Sequence, residues 1–385
     1  MTNPPAELHY DDPDRVDLLM ALSYYFPYVS GLTNAARNVA EGLATRGWKV
    51  RVVTTQHERS LSRHERINGI EVVRTPVLAH VGKGMISPHF FPEVIRSSKN
   101  ADVVNIHLPM LEAGPIARFS ASPVVLTYQC DVSLPAGLLN NLQRRVIDAS
   151  SRVALRHSRA VGVTSEDYAS HSRVADAMTA KTVAIPAPCL LRDRGVPSFR
   201  RGPGLHVGFL GRIVEEKGIE YLIDGFLAMD DPDARLLIAG DFLNIAGGSV
   251  VERVRRRIGG DGRIRLLGFV AEADMADFYA SIDVFALPSV NAFEAFGIAQ
   301  VEAMMVGVPV LASNMPGVRV PVQRTGFGVV TEPRDTRSIR DGLVHLRDEP
   351  PDREAGIRIA RDLYSIDAVL DAYAATFNKA RSRGM

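Results

Sequence analysis

Short, β-rich apolar runs separated by longer stretches with helical spacing recur from Val16 almost to the end of the chain. That alternation is the pattern of parallel strands joined by crossover helices, so the chain reads as α/β. In the first half the strand candidates are 16–22, 49–54, 70–74, 103–107, 124–128 and 160–164. Between the first two, residues 34–46 put Ala35, Val39 and Leu43 on one helical face, and Gly47 is placed to end the helix in a left-handed turn. The rhythm breaks at 186–204, where Pro186, Pro188, Pro197 and Pro203 stand among Arg192, Arg194, Arg200 and Arg201. Such a stretch reads as an exposed interdomain linker. A second series follows with strands at 205–210, 235–239, 264–267, 284–287, 309–312 and 329–331. The expected division is a domain over 1–195, a second over 196–365, and a closing segment 366–385 whose helix, about 366–380, could pack on either.

A chain of 385 residues is too long for one ordinary core, which agrees with two domains. The formal net charge is +1, giving no global attraction for nucleic acid, so an anion site must be local. Cys130 and Cys189 are the sole cysteines, which argues against a disulfide framework and fits a reducing, cytoplasmic compartment. The N-terminal residues do not read as a signal peptide, and no apolar run reaches the roughly 18 to 20 residues of a membrane span.

In α/β sheets ligands bind beyond the carboxyl ends of the strands, so the loops there are the places to search. Gly211-Arg212-Ile213-Val214-Glu215-Glu216-Lys217-Gly218 follows the 205–210 strand. Its glycines permit close backbone approach, an Arg fork can hold two phosphate oxygens, and a Lys adds a point charge. The competing reading is a solvated turn with Lys217 paired to Glu215 or Glu216. After the 284–287 strand comes a loop containing Glu294, then a helix expected from about Phe296 to Gly307. Its amides and dipole suit a diphosphate. Glu302 lies among Val301, Ala303 and Met304, where an unpaired charge is costly; ribose hydroxyls or a nearby Arg would compensate it. Glu294 could reach the hydroxyls of an attached sugar, or serve as an N-terminal helix acid.

Together these residues resemble glycosyltransferase family 4, the glycosyl transferases group 1 of GT-B fold. Glu294 and Glu302 match that family's Glu-x7-Glu signature with Phe296-Gly297 between them, and Gly211-Arg212 with Lys217-Gly218 resemble its diphosphate clamp. The segment from Val306 to Ser313 resembles the one that follows the signature. The resemblance implies two Rossmann-like domains facing across a cleft, the N-terminal one for the acceptor and the C-terminal one for the donor, with the final helix returning to the first. It implies a transfer from a nucleotide diphosphate sugar, UDP- or GDP-linked, to a glycan, lipid-linked glycan or small-molecule hydroxyl, with retention of configuration and no metal or other cofactor. Arg212 and Lys217 would hold the diphosphate, Glu302 the ribose and Glu294 the sugar. The amides of Phe296, Gly297 and Ile298 would meet the distal phosphate or sugar, and Phe269 and Val270 the base. Pro27 to Thr33 resembles the family's glycine loop but keeps only Gly31 of the usual pair, which weakens a backbone contact at Ser30. Gln129 stands where relatives often have a His; His107 and Asp131 are the remaining candidates for acceptor positioning, against a strand-end histidine and a helix-capping aspartate. Arg319 lies in a segment that departs from the family pattern, as a phosphate contact or a surface residue.

A sugar leaving its diphosphate develops negative charge on the leaving group and positive charge on the sugar, and fixed cations and amide dipoles can stabilise the first without a metal ion. No nucleophile is evident, which favours front-face attack. The alternatives are an epimerase or phosphorylase of the same fold, or a binding subunit that has lost catalysis. The stretch 135–159 sets Leu138, Leu139, Leu142 and Val146 beside Arg144, Arg145, Arg152, Arg156 and Arg159. Its preferred reading is an ordinary amphipathic helix with a basic solvent face; peripheral contact with anionic lipid is the other.

Overall fold

The computed structural model describes residues 14–28, 30–81, 84–132, 137–178, 181–242 and 248–382. Among these residues ten strands fall in the first half: β1 (Val16–Ala21), β2 (Val50–Gln56), β3 (His64–Ile67), β4 (Ile70–Pro76), β5 (Ala79–Val81), β6 (Gly84–Ile86), β7 (Ala101–Leu108), β8 (Val124–Tyr128), β9 (Ala160–Val163) and β10 (Thr182–Ala184). Six follow: β11 (His206–Leu210), β12 (Arg235–Ala239), β13 (Ile264–Gly268), β14 (Val284–Leu287), β15 (Val310–Ser313) and β16 (Gly328–Thr331). Every expected strand is present within a few residues. The sequence reading missed the antiparallel hairpin β3–β4, the small pair β5–β6 and the short β10.

The larger sheet runs β10-β9-β8-β7-β1-β2-β4-β3 and the other β13-β12-β11-β14-β15-β16. In the first, β2 lies on one side of β1 and β7 on the other; in the second, β12 and β14 flank β11 in the same way. Strand order therefore reverses beside β1 and beside β11, and such switch points open a crevice at the carboxyl ends of the strands.

By packing, the chain divides into two compact units. One comprises the chain up to Thr127, Ala149–Ala160 and the residues from Ala374 onward; the other comprises Tyr128–Asp148 and Val161–Tyr373. In the first unit, the end of the closing helix Ile366–Ser382 is tied down by Arg381, which reaches Asp17 at 3.2 Å and Asp102 at 3.1 Å and lies over Trp48 at 4.8 Å. Arg159 also donates to the carbonyl of Ala380 at 2.7 Å.

In the second unit, strand alternation supplies a core on both faces of the sheet, as a parallel sheet covered on both sides requires. Leu236 and Ile238 of β12 join Val284 and Ala286 of β14 in one cluster with Phe209, Leu222 and Phe226. Leu237, Ala239, Phe285 and Leu287 point the other way, onto Phe296, Val301 and Met304. The proline-rich stretch is exposed along much of its length, as expected from its composition, but it is not a loose tether. A side chain at Gly195 would collide with the backbone of Ala276, Val196 N–H donates to Asp277 at 2.8 Å, and Arg200 pairs with Asp283 at 2.9 Å, so this segment is docked along the helix Met275–Ala280. Among the described residues no helix is long and apolar enough to cross a membrane.

Candidate functional site

The loops after β11 and β14 meet at the switch point of the six-stranded sheet, and the backbone fixes their contact. Gly218 adopts φ +64°, and a side chain there would strike the carbonyl of Pro288, so the turn after Lys217 closes directly onto the start of the β14 loop. Val290 N–H donates to the carbonyl of Glu216 at 2.9 Å and ties the same two segments. The result is an ion pair between Lys217 and Glu294, each side chain only 16% exposed. Lys217 thus pairs with neither Glu215 nor Glu216, which removes the solvated-turn reading. Arg212 is more open, at 43% exposure; it lies 3.3 Å from Glu216 with its guanidinium 6.0 Å from the ring of Phe293.

Glu294 precedes a helix that spans Ile298–Met305, two residues later at its start than expected. Gly297 caps it at φ +82°, where a side chain would meet Leu287 and Gln300. Phe296 is buried, and its carbonyl accepts from the amide of Gln300, so Phe296 offers its backbone rather than its ring.

Glu302 is held otherwise than through an awaited ligand. Arg192 donates to its carboxylate at 3.0 to 3.2 Å, Tyr279 donates at 3.3 Å, and Arg192 also reaches Glu272. Burial raises the Glu302 carboxyl above its ordinary range, with Arg192 pulling the other way. The Arg pairing named as an alternative is therefore present, and its donor is Arg192, a residue the sequence placed in an exposed linker but whose side chain is 13% exposed. Glu272 follows β13 shortly after Phe269 and Val270 and brings that loop to Glu302 through Arg192. Phe269 is 75% exposed, whereas Val270 is buried and offers no side-chain face to a base.

Asp131 is a network anchor. It is 5% exposed and accepts from Tyr128, from Ser172 at 2.8 Å and from the N–H of Arg173 at 3.2 Å. Its own N–H donates to Tyr168, whose hydroxyl donates to the carbonyl of Ala292, two residues before Glu294. The carboxylate is thus neither a helix cap nor a free acceptor. Burial, with Asp131 and Glu294 nearby, pushes the Cys130 thiol up to about 12. Arg319 forms a two-armed pair with Asp167 at 2.6 and 3.0 Å.

His107 and Gly31 belong to the other unit. His107 lies inside β7 at 2% exposure, and burial lowers its imidazole to about 3, so it is neutral at physiological pH. Gly31 is the first residue of the helix Gly31–Thr45, with open space where a side chain would stand. Ser30 caps that helix and its N–H is taken by the Thr33 hydroxyl at 2.8 Å, so the backbone contact considered there is already used. Val29 of the same loop lies outside the described residues.

Among the described residues no group of three or more His, Cys, Asp or Glu is placed to hold a metal ion. A cavity of about 830 Å³ lined by Arg192, Gly195, Tyr279 and Phe327 does not include Lys217 or Glu294.

Residues 199–363 match the family described as glycosyl transferases group 1, and residues 30–188 match the glycosyl transferase 4-like domain. A phosphatidyl-myo-inositol mannosyltransferase of Mycobacterium leprae is 27% identical over 347 residues, covering 85% of this chain and 86% of its own. Among solved structures, sucrose-phosphate synthase from Thermosynechococcus elongatus superposes with a TM-score of 0.73 at 18% identity, over 96% of this chain and all of that one. Anabaena HepE in complex with UDP gives 0.69 at 18% identity, over 94% of this chain and all of that one.

Proposed function

Since the chain belongs to the glycosyl transferases group 1 of family 4, with the GT-B fold and its two Rossmann-like domains, and is a glycosyltransferase, we propose that it transfers a hexosyl group from a nucleoside diphosphate sugar to a hydroxyl acceptor with retention of configuration and without a metal ion. The observation that carries this reading is the contact of Lys217 with Glu294 beside Arg212, at the switch point of the six-stranded sheet. An ammonium already neutralised by one carboxylate can be shared with an incoming diphosphate, leaving Glu294 to accept hydrogen bonds from the sugar. Arg212, less buried, closes on the other phosphate oxygens. Gly297 and Ile298 present amide N–H groups at the positive end of their helix. The exposed ring of Phe269 offers the base a stacking face, and Glu302, fixed by Arg192, offers the ribose an oriented acceptor. HepE of the same fold is complexed with UDP, which supports this class of donor.

In the transfer step the acceptor oxygen bonds to the anomeric carbon from the face the diphosphate leaves. The bond from that carbon to the phosphate oxygen breaks, and its electron pair goes to the diphosphate. The acceptor proton passes to a departing phosphate oxygen. Arg212, Lys217 and the amides stabilise the charge that builds on the leaving group, where preorganised electrostatics acts most strongly. The N-terminal half would bind the acceptor, a glycan, lipid-linked glycan or small molecule, with Gly31 leaving room for its approach and the buried His107 and Asp131 acting at most as positioning residues.

A panel of UDP- and GDP-sugars assayed by donor hydrolysis, with and without chelator and with and without inorganic phosphate, tests the reading. Hydrolysis of one of them at a rate indifferent to chelator and phosphate is expected. Dependence on either additive, or binding of none of the panel in a thermal-shift assay, overturns it.

A further inference from the structure

Two features stand apart from the donor loops. The helix Leu138–His157 leaves Leu138, Leu139, Leu142 and Val146 exposed, so the structure corrects the reading in which they face a core as in an ordinary amphipathic helix, and nothing in it shows what covers them. The other is the cavity of about 830 Å³, a volume in the range of small-molecule sites. Its wall includes Leu205, Asp283 and Pro309, which stand at the amino ends of β11, β14 and β15. The loops that bring Lys217 to Glu294 leave the opposite ends of β11 and β14.

Six arginines and two acids line this cavity. Three of the arginines are already matched: Arg192 by Glu302 and Glu272, Arg200 by Asp283, and Arg347 by Asp231 and Asp348. The other three, Arg194, Arg353 and Arg361, pair with no carboxylate among the described residues. Arg353 donates to the carbonyl of Val306 at 3.3 Å and Arg361 to that of Met305 at 3.0 Å, so the two guanidinium heads converge on consecutive carbonyls at the end of the helix Ile298–Met305. Gly307 makes the room: its φ is +90°, and a side chain there would come within 2.3 Å of Arg353 Nε. A helix C-terminus favours a cation, and a single bond from each head serves that role. Each guanidinium still keeps most of its N–H donors, and two like charges side by side without a carboxylate call for a dianion.

A phosphate monoester is such a dianion near neutral pH, and its oxygens match the guanidinium fork in paired hydrogen bonds. Beside the arginines, the buried Ile282, Val308 and Phe327 give the wall an apolar part, so the molecule that fits carries an apolar body behind its phosphate. We propose that this cavity binds a small organic phosphate monoester, its phosphate held by Arg353 and Arg361 and its body against the apolar wall, with Arg194 of the docked proline-rich segment as a further cation. At 1.5 Å per residue the helix Ile298–Met305 sets this end about 12 Å from Gly297, so the site is separate from the one proposed for the diphosphate. A chain that hydrolyses no sugar nucleotide can still bind a phosphate monoester here, and the two readings fail independently.

The test is isothermal titration calorimetry of the full chain with phenyl phosphate and with benzoate at constant ionic strength. Phenyl phosphate should bind, and benzoate, a monoanion with the same ring, at least about tenfold more weakly. Arg353→Gln with Arg361→Gln should weaken phenyl phosphate at least about tenfold, the loss expected when charge-assisted hydrogen bonds are removed. Should circular dichroism show that this variant does not fold, Arg353→Lys with Arg361→Lys keeps a donor for each carbonyl but loses the fork, and a loss of at least about threefold is expected. Lys217→Met with Glu294→Gln, which alters the donor loops alone, should leave the affinity unchanged. Absence of binding to the parent chain, an affinity that survives loss of the arginine pair, or an affinity that disappears with the donor-loop substitutions overturns the proposal.

Discussion

Replacing Lys217 with methionine keeps the length and packing of the side chain while removing the charge that faces Glu294. Two separable costs follow. The first concerns the fold: a buried carboxylate that loses its partner costs about 3 to 5 kcal/mol, and the 16% exposure of each side chain lets water recover part of it, leaving about 1 to 3 kcal/mol. The second concerns the reaction: one donor aimed at developing negative charge contributes about 2 to 4 kcal/mol, which is about 30- to 900-fold in kcat/KM. Adding Glu294→Gln to Lys217→Met removes the orphaned charge, so urea unfolding of the double variant should return close to the parent's midpoint. Turnover should not return, because the diphosphate still lacks its ammonium. Donor hydrolysis with the sugar nucleotide identified by the panel and urea titrations on the same three proteins read both effects. A double variant that recovers turnover in step with stability would make Lys217 a structural cation and remove it from the site.

Arg192→Met should destabilise the chain by about 3 to 5 kcal/mol, since it strands Glu302, whose side chain is 8% exposed, and Glu302→Gln in the same chain should restore most of that loss in urea unfolding. For His107, burial holds the folded imidazole neutral down to about 3 against an ordinary value near 6.5, so the unfolded chain takes up a proton first as the pH drops. Stability therefore falls with pH between those values, by about 2 kcal/mol at pH 5 relative to neutral pH, and His107→Asn should shrink the difference between urea midpoints at pH 7 and pH 5 accordingly. An unchanged difference would mean the imidazole is protonated in the fold.

How much of this site was legible beforehand depended on the range of the interaction that fixes each residue. The strands carry their signal within a few residues, so β8, β12 and β14 were read with their true bounds, and the loops after β11 and β14 could be singled out as sites because the sheet class alone says which strand ends matter. β10 and the β3–β4 hairpin were missed because three or four residues with exposed or half-buried side chains give no apolar alternation to read. The sequence singles out Lys217 and Glu294 and the fold brings them together, yet the sequence offered nearer carboxylates at Glu215 and Glu216; only the collision that forces glycine at position 218 shows why the chain turns Lys217 toward position 294 instead.

Arg192 marks where local reading stops. Prolines and arginines in a row describe a tether as well as a strap, and composition carries no information about what lies underneath. The distinction was set by Glu302, 110 residues away, which has no partner of opposite charge on its own helix and cannot be buried without one. A buried acid in an apolar helix therefore predicts that some distant cation must be drawn in, and a basic segment without periodicity is the place to look for it. The same reasoning applies to Asp131: its carboxylate has three donors, two of them supplied by Ser172 and Arg173 more than forty residues downstream, so the choice between a helix cap and an acceptor-positioning group turns on a segment that the sequence around position 131 does not mention.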